Sequence, residues 1–208
     1  MKHFAVALLA VMFSVSAFAQ TPDPDRYAKS LFERLHPADQ SLAQGWKAGL
    51  AARLDQLKLN SDDQETIDAI PQFEQLIAAE YLPFSIGALE GTWRMRSLQA
   101  NGLGAFIYPY FPASIYLEGE TLVFDKNSGS QRHRGLLAQL DNETVIFVGA
   151  LYYGYEAPRV YSALSDGGAT EEQRAFDAVA EIYKIAEDHF LMAFGNSDDR
   201  YRLYEIRK

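Results

Sequence analysis

The spacing of hydrophobic positions along the chain changes near residue 88, from a helical repeat to an alternating one. Between residues 21 and 82, apolar side chains recur every three or four positions, which predicts helices over about 21–35, 37–59 and 61–81. The apolar positions of the second helix are Leu42, Trp46, Leu50, Leu54 and Leu57. These apolar stripes are narrow, so we expect the helices to pack on another part of the chain as well as on one another.

Local signals set the limits of these helices. Pro37 should end the first helix, because the residue before a proline is pushed out of the α region. Ser61 with Gln64 resembles a capping box that begins the third helix. Pro71 should kink or restart that helix, since proline lacks the backbone N–H that a helix interior uses.

From Gly91 onward the hydrophobic period is two, and turn residues recur about every ten positions. The predicted strands cover 91–99, 105–118, 121–126, 130–140, 144–152, 178–186, 190–194 and 201–206, and Pro109 and Pro112 interrupt the second. Closing such a meander into a barrel removes exposed strand edges. We therefore predict an α+β chain: a helical segment over 20–87, then an antiparallel, lipocalin-like β-barrel of about eight strands over 88–208.

Residues 1–19 have the pattern of a secretory signal peptide. A basic start at Lys2 is followed by an apolar run and by the small-residue pattern Ala17-Phe18-Ala19, so we expect cleavage after Ala19. The alternative, an uncleaved membrane anchor, is disfavoured because the run is shorter than the roughly 20 residues that a spanning helix needs. The pattern predicts a periplasmic protein with no membrane span after cleavage.

The composition excludes several kinds of functional site. The formal net charge of −9, with no basic run longer than Arg132-His133-Arg134, disfavours nucleic acid as a partner. The absence of cysteine excludes disulfides, a thiolate nucleophile and any metal site with a cysteine ligand. His36, His133 and His189 do not lie at metal-ligand spacings. We therefore expect neither a metal nor a cofactor.

The sequence lacks a recognisable catalytic constellation. Ser128 or Ser130 beside His133 could be imagined as part of a triad, but no GxSxG nucleophile elbow is present. Paired acids fall at a helix start or in turns, where they serve the helix dipole or solubility. A hydrolase or isomerase using Glu156 or His133 has no supporting spacing, so the sequence favours a non-catalytic role.

The stretch Gly91-Thr92-Trp93, at the start of the first predicted strand, resembles the lipocalin signature. In that fold the tryptophan closes one end of the barrel and stacks under an arginine from the last strand. The resemblance implies this role for Trp93, with Arg202 or Arg207 as the stacking cation. The alternative is that Trp93 is an ordinary core residue.

A second resemblance rests on Leu122, Phe124 and Lys126 leading into GSQRHRG (129–135) and then VIFVGALYYGYEAPRVYS (145–162). These blocks resemble domain-of-unknown-function family 4893, a family of exported, mainly proteobacterial proteins. The resemblance covers nearly all of the chain after residue 19. It departs at Met95 and at about Ala113, where family members often carry cysteines. The family implies a fold and a compartment but no activity.

The GSQRHRG block has a physical interpretation of its own. In an alternating strand, Gln131 and His133 share one face and Arg132 and Arg134 share the other. A buried arginine needs a carboxylate or several carbonyls. Arg132 is therefore a candidate for recognising an anion in a barrel pocket. The alternatives are an exposed strand face or a structural ion pair with one of the nearby acids, Glu118, Glu120, Asp125 or Glu156.

Tyrosines around Gly154 leave the fifth predicted strand and enter a long loop. Rings with a polar tip suit a rim that is apolar on one side and wet on the other, so Tyr153 and Tyr155 could line the mouth of a pocket. Simple packing over an open barrel end is the alternative.

These features predict a binding module that holds a small apolar or anionic ligand. The candidate ligand contacts are Trp93, Arg132, Tyr153, Tyr155, Glu156 and Arg159. The alternative is a cell-envelope protein-protein interaction module, in which side chains fill the barrel and an outer face or the helices meet another protein.

Overall fold

The computed structural model describes residues 24–42, 45–165, 169–195 and 199–208, so the predicted signal peptide lies outside the described residues. The helices are α1 (Pro24–Glu33), α2 (Pro37–Leu42), α3 (Trp46–Asn60), α4 (Gln64–Ile77) and α5 (Glu171–Arg174). The strands are β1 (Gly91–Asn101), β2 (Gly104–Ile107), β3 (Phe111–Glu118), β4 (Thr121–Lys126), β5 (Gln131–Gln139), β6 (Thr144–Tyr153), β7 (Asp177–Ala186), β8 (His189–Phe194) and β9 (Tyr201–Arg207).

The strands form a closed antiparallel barrel, which confirms the predicted fold class. Each strand from β3 to β8 pairs with the one that follows it, and β1 pairs with both β3 and β9, so eight strands complete the ring. The predicted strand 105–118 is divided into β2 and β3, which pair with opposite ends of β1. The division falls at Pro109, which has no backbone N–H to donate to a strand partner.

The barrel interior is filled by side chains. Every strand of the ring contributes at least one buried apolar residue to a single cluster. The larger members are Trp93, Met95, Phe124, Phe147, Phe190, Phe194 and Tyr204. An eight-stranded barrel has an interior just wide enough for such filling.

The helices cover two outer faces of the barrel. Helices α3 and α4 bury Leu50 and Phe73 against barrel residues such as Leu203, and α1 buries Leu31 against a face that includes Ile146. Strand β6 is therefore covered on both sides, which explains why every residue from Thr144 to Ala150 is buried. None of the helices in the described ranges combines the length and the apolar character that crossing a bilayer requires.

The helix boundaries differ from the predicted ones in two places. The predicted helix 37–59 is two helices, and Gly45, with φ +77°, precedes α3 in a left-handed conformation that interrupts a helix. The N-cap of α4 is Asp63, whose carboxylate accepts from the Thr66 N–H at 2.9 Å, so Ser61 does not cap this helix. Pro71 lies inside α4, which continues to Ile77.

Trp93 closes one end of the barrel. Its indole Nε1 donates to the Leu89 carbonyl at 2.7 Å, and its ring meets Phe190 edge-on. The cation over the ring is Lys208, with Nζ 4.7 Å from the ring centroid, and not Arg202 or Arg207. Strand alternation gives the reason: Ile206 points into the barrel, so Arg207 points outward and residue 208 inward.

Strands β5 and β6 approach closely at a pair of glycines. Gly135 and Gly149 are cross-strand partners. A Cβ on Gly149 would lie 2.2 Å from the Arg134 carbonyl oxygen and 2.6 Å from the Gly135 Cα. Only a residue without a side chain fits at this contact.

Candidate functional site

Three cations surround the turn between β4 and β5, at the barrel end opposite Trp93. They are Lys126, the last residue of β4; Arg132, near the start of β5; and Arg202, near the start of β9. We call this group the cationic end. Inward strand positions hold Lys126 and Arg202, beside His133 and Gln131, whereas Arg132 alternates to the outer face.

Lys126 is a buried cation held by backbone carbonyls. Only 4% of its surface is exposed, and Nζ donates to the carbonyl oxygens of Ser128 at 2.7 Å and Gln131 at 2.8 Å. Burial lowers the pKa of Lys126 to about 8, and the positive charges of Arg132 and Arg202 act in the same direction. At neutral pH the ammonium form still predominates.

Arg202 is fixed by neutral partners. Its guanidinium donates to Gln131 Oε1 at 3.0 Å and lies 3.3 Å from His133 Nε2. His133 is buried, and burial, with the neighbouring cations, lowers its pKa well below the ordinary value. A neutral His133 therefore accepts from Arg202 at Nε2 and donates from Nδ1 to the Tyr204 hydroxyl, 2.7 Å away.

Among the described residues, no carboxylate oxygen lies within 4.0 Å of a cationic nitrogen of Lys126, Arg132 or Arg202, although other arginines of the chain do pair with acids. Of the four acids proposed from sequence as partners of Arg132, three have other partners: Glu118 pairs with Arg134, Asp125 accepts from Tyr152, and Glu156 pairs with Arg159. Buried cations without counter-charge are costly. Of the three cations only Lys126 is buried, and carbonyl oxygens hold its charge.

Arg132 connects the cationic end to the tyrosines of the following loop. Its Nε donates to the Gly129 carbonyl at 2.9 Å, and a Cβ added to Gly154 would lie 3.2 Å from its Nη2. The guanidinium therefore packs against the backbone between Tyr153 and Tyr155. The two tyrosine rings stack with centroids 5.9 Å apart and planes 10° apart.

The loop beyond Tyr155 is held by Glu156 and Arg159. Arg159 Nη2 lies 3.2 Å from Glu156 Oε1, and its guanidinium carbon lies 3.9 Å from the Phe176 ring centroid. The hydrogen bond from Arg159, followed by one from the Tyr153 N–H, lowers the pKa of Glu156. Five of the six predicted ligand contacts thus lie at the cationic end or in the loop that leaves it, whereas Trp93 lies at the opposite end.

Two contacts of this end were not predicted from sequence. The sequence indicates Lys126 only as part of a block that resembles the family, and it indicates Arg202 only as a possible stacking partner of Trp93. A signal was available, because both residues occupy inward-facing positions next to turns, where a cation is unusual. The residues that Lys126 and Arg202 contact could not be predicted, because the contacts between β9 and β5 form only when the barrel closes.

A second charged cluster surrounds Glu205 on the outer face, beside a cleft of about 190 Å³ under α4. Glu205 accepts from Arg96, from the Tyr110 hydroxyl at 2.9 Å and from Arg207 Nε at 2.8 Å, and lies 2.9 Å from His189 Nε2. Burial alone would raise the pKa of Glu205, but the hydrogen bonds outweigh burial and lower it. The cations here already have a carboxylate.

A serine, a histidine and an aspartate meet at the end of α1, but not as a catalytic triad. His36 Nε2 lies 2.9 Å from Ser162 Oγ and 3.5 Å from Asp177 Oδ2, and Ser162 itself donates to Asp177. In a triad the acid binds the other ring nitrogen of the histidine. This group connects the helices to the barrel. No cluster of acids and histidines suited to a metal ion occurs among the described residues.

Comparisons with known proteins identify the family of this chain. No curated protein matches the chain. A redesigned β-barrel matches with 8% sequence identity and a TM-score of 0.36, over 62% of this chain and 98% of that one. The family model described as Domain of unknown function (DUF4893) matches residues 33–194, a range that contains Lys126, Arg132 and the tyrosine loop. The chain therefore belongs to the DUF4893 family, as the blocks around residues 129–162 predict.

Proposed function

We propose that this protein is a non-catalytic binding module that holds a small anionic ligand at the cationic end of its barrel. One observation carries the proposal: Lys126, Arg132 and Arg202 contact a single turn, and no carboxylate oxygen of the described residues lies within 4.0 Å of their charged nitrogens. Arg202 and Arg132 are half-buried, so both guanidiniums are within reach of solvent.

The filled interior favours an anion at the barrel end over an apolar ligand inside the barrel. Phe124 and Phe147 are fully buried beside Phe194, and all three belong to the interior cluster. An apolar guest would have to displace such side chains, which protein interiors resist because they are close-packed. The cationic end requires no such displacement.

The chemistry suits a carboxylate, sulfate or phosphate group. Guanidinium groups present planar, charged donors that match the oxygens of these anions. Lys126 lies beneath the turn and contributes positive potential in a region of low dielectric, where charge interactions are stronger than in water.

Sulfate titration tests the proposal, because the charge of sulfate does not change over the useful pH range. We expect Arg202→Gln to weaken sulfate binding roughly 10- to 100-fold, since a hydrogen bond to a charged group contributes about 1.5–3 kcal/mol. We also expect affinity to fall as the pH rises through about 8, where Lys126 loses its charge. Isothermal titration calorimetry at several pH values measures both effects.

The matched control is Arg134→Gln. Arg134 lies two residues from Arg132 on the same strand and pairs with Glu118, so its loss should leave sulfate affinity unchanged. Equal losses in the two variants, or no binding by the unmodified protein, would contradict the proposal.

We further propose that the protein acts in the periplasm. Residues 1–19 support this by their basic start, apolar run and Ala17-Phe18-Ala19 pattern. Expression of the full chain in a Gram-negative host should give a periplasmic protein that begins at Gln20 by intact mass. A cytoplasmic product with residues 1–19 attached would count against export.

The filled barrel also favours the second candidate, a cell-envelope interaction module. The two candidate functions differ in the role of Arg202, which contacts the ligand in the anion-binding module and is not required for binding in the interaction module. If sulfate binds weakly or not at all, and an envelope protein co-purifies equally well with Arg202→Gln, the interaction module is the better description.

A further inference from the structure

The stacked pair of Tyr153 and Tyr155 forms an aromatic platform at the edge of the cationic end. Tyr155 is 85% exposed, although large aromatic side chains are usually covered. The Tyr153 ring lies nearly parallel to it but offset, with centroids 5.9 Å apart, so most of the Tyr155 ring is open to solvent.

The platform is held in place before any ligand arrives. Tyr153 meets Phe176 edge-on, with centroids 6.2 Å apart, and its backbone N–H donates to Glu156 at 3.2 Å. The Gly154 N–H donates to the Ser130 carbonyl at 2.9 Å, which ties the loop to the turn at the cationic end. The backbone that precedes Tyr155 is therefore fixed before a ring stacks on it, and such preorganisation favours binding.

The platform and the cations are contiguous. The Arg132 guanidinium packs on Gly154, the residue between the two tyrosines, and does so closely enough that a Cβ there would lie 3.2 Å from Nη2. A ligand that covers the open face of Tyr155 would therefore have Arg132 within reach.

We propose that the ligand of this site is an acidic saccharide, whose sugar ring stacks on Tyr155 while its anionic group binds Arg132 and the cationic end. This inference rests on the anion-binding function proposed above and adds the class of ligand.

The surroundings of Tyr155 favour a sugar over a flat aromatic anion. Tyr155 is followed directly by Glu156, which forms an ion pair with Arg159, and its stacking partner Tyr153 lies opposite the exposed Gln131 on β5. A sugar needs one apolar surface for its C–H groups and polar partners for its hydroxyls, and these side chains supply both kinds of contact. Glu156 can accept hydroxyl hydrogen bonds without repelling the anion strongly, because Arg159 balances its charge.

Three phosphate monoesters with the same charged group separate the possibilities: methyl phosphate, glucose 6-phosphate and phenyl phosphate. We expect glucose 6-phosphate to bind about three- to tenfold more tightly than methyl phosphate, the range that one stacking contact supplies. Tyr155→Ala should remove this advantage and leave methyl phosphate affinity unchanged. Tyr108→Ala is the control, because Tyr108 is also exposed, at 44%, but belongs to no stacked pair among the described rings.

Each outcome of these titrations is informative. If methyl phosphate binds but glucose 6-phosphate has no advantage, or Tyr155→Ala does not reduce that advantage, the saccharide inference is overturned and the anion site stands. If only phenyl phosphate gains affinity through Tyr155, the ligand is an aromatic anion and the saccharide assignment is wrong. If no ester binds, the anion-binding function fails together with the inference.

Discussion

Replacing Gly149 with alanine is expected to destabilise the folded protein by about 3 kcal/mol, at the upper end of what overpacking costs. The new Cβ would lie 2.2 Å from the Arg134 carbonyl oxygen and 2.6 Å from the Gly135 Cα. Both atoms are backbone, so relief requires β5 and β6 to separate along a ladder of paired residues. Urea unfolding followed by far-ultraviolet circular dichroism measures the change in the free energy of unfolding.

Gly102→Ala is the matched control for this substitution. Gly102 lies in the turn between β1 and β2, and a Cβ there would have no neighbour within 4 Å. Its replacement should change the free energy of unfolding by no more than about 0.5 kcal/mol. Similar effects at both positions would mean that the close approach of β5 and β6 is not what requires glycine.

Glu205→Gln is expected to lower the free energy of unfolding by about 2–3 kcal/mol. Glu205 is 1% exposed and is the shared carboxylate of Arg96, Arg207 and His189. Glutamine fills the same space but removes the negative charge, which leaves two arginines without a counter-charge. These partners are partly exposed and can regain water, so the cost stays below that of a fully buried pair. Thermal and urea unfolding at neutral pH measure the loss.

The pH dependence gives this prediction a second readout. Since the pKa of Glu205 is lowered in the folded state, its contribution is complete above its unfolded pKa of about 4.3 and is lost as pH falls through the folded value. The difference between the unmodified protein and Glu205→Gln should therefore shrink below about pH 4. Glu118→Gln is the control, because its side chain is 59% exposed and its ion pair should contribute at most about 1 kcal/mol. A cost for Glu118→Gln as large as that for Glu205→Gln would argue against a special role for burial.

The barrel was predictable because its signal is local. Alternation with period two, and turn residues between the runs, identify strands whatever their partners are, and hairpin connections then fix the order. The division of the second strand at Pro109 follows from one missing N–H. The unbroken apolar run of β6 could be explained only from the tertiary structure. Helix α1 covers the outer face of this strand, so its outward-facing residues are apolar too and the strand does not alternate.

The errors arose where one local rule competed with another. The apolar stripe from Leu42 to Leu57 suggested one helix, but the left-handed Gly45 outweighed it. Asp63 caps α4 in place of Ser61, because a carboxylate two residues later reaches the free N–H of Thr66. Of the two arginines predicted to stack on Trp93, Arg202 lies at the opposite end of β9, and Arg207 lies at the correct end but on the outer side of the strand.

Only the part of the candidate site that is close together in the sequence could be predicted. Arg132, Tyr153 and Tyr155 belong to paired neighbouring strands and the loop that follows, so sequence proximity brings them together. Arg202 reaches His133 from 69 residues away, and only closure of the ring makes that contact. A buried lysine such as Lys126 is recognisable as unusual from sequence, but its missing counter-charge is not.

The seam between β1 and β9 bears on how the chain reaches its native state. Strand β9 pairs with both β1 and β8, so the ring stays open until Tyr201–Arg207 have left the ribosome. Contacts between segments so distant in sequence form slowly, because loop closure must come first. Until the seam closes, the nascent chain exposes two unpaired strand edges, those of β1 and β8, which a chaperone would have to cover.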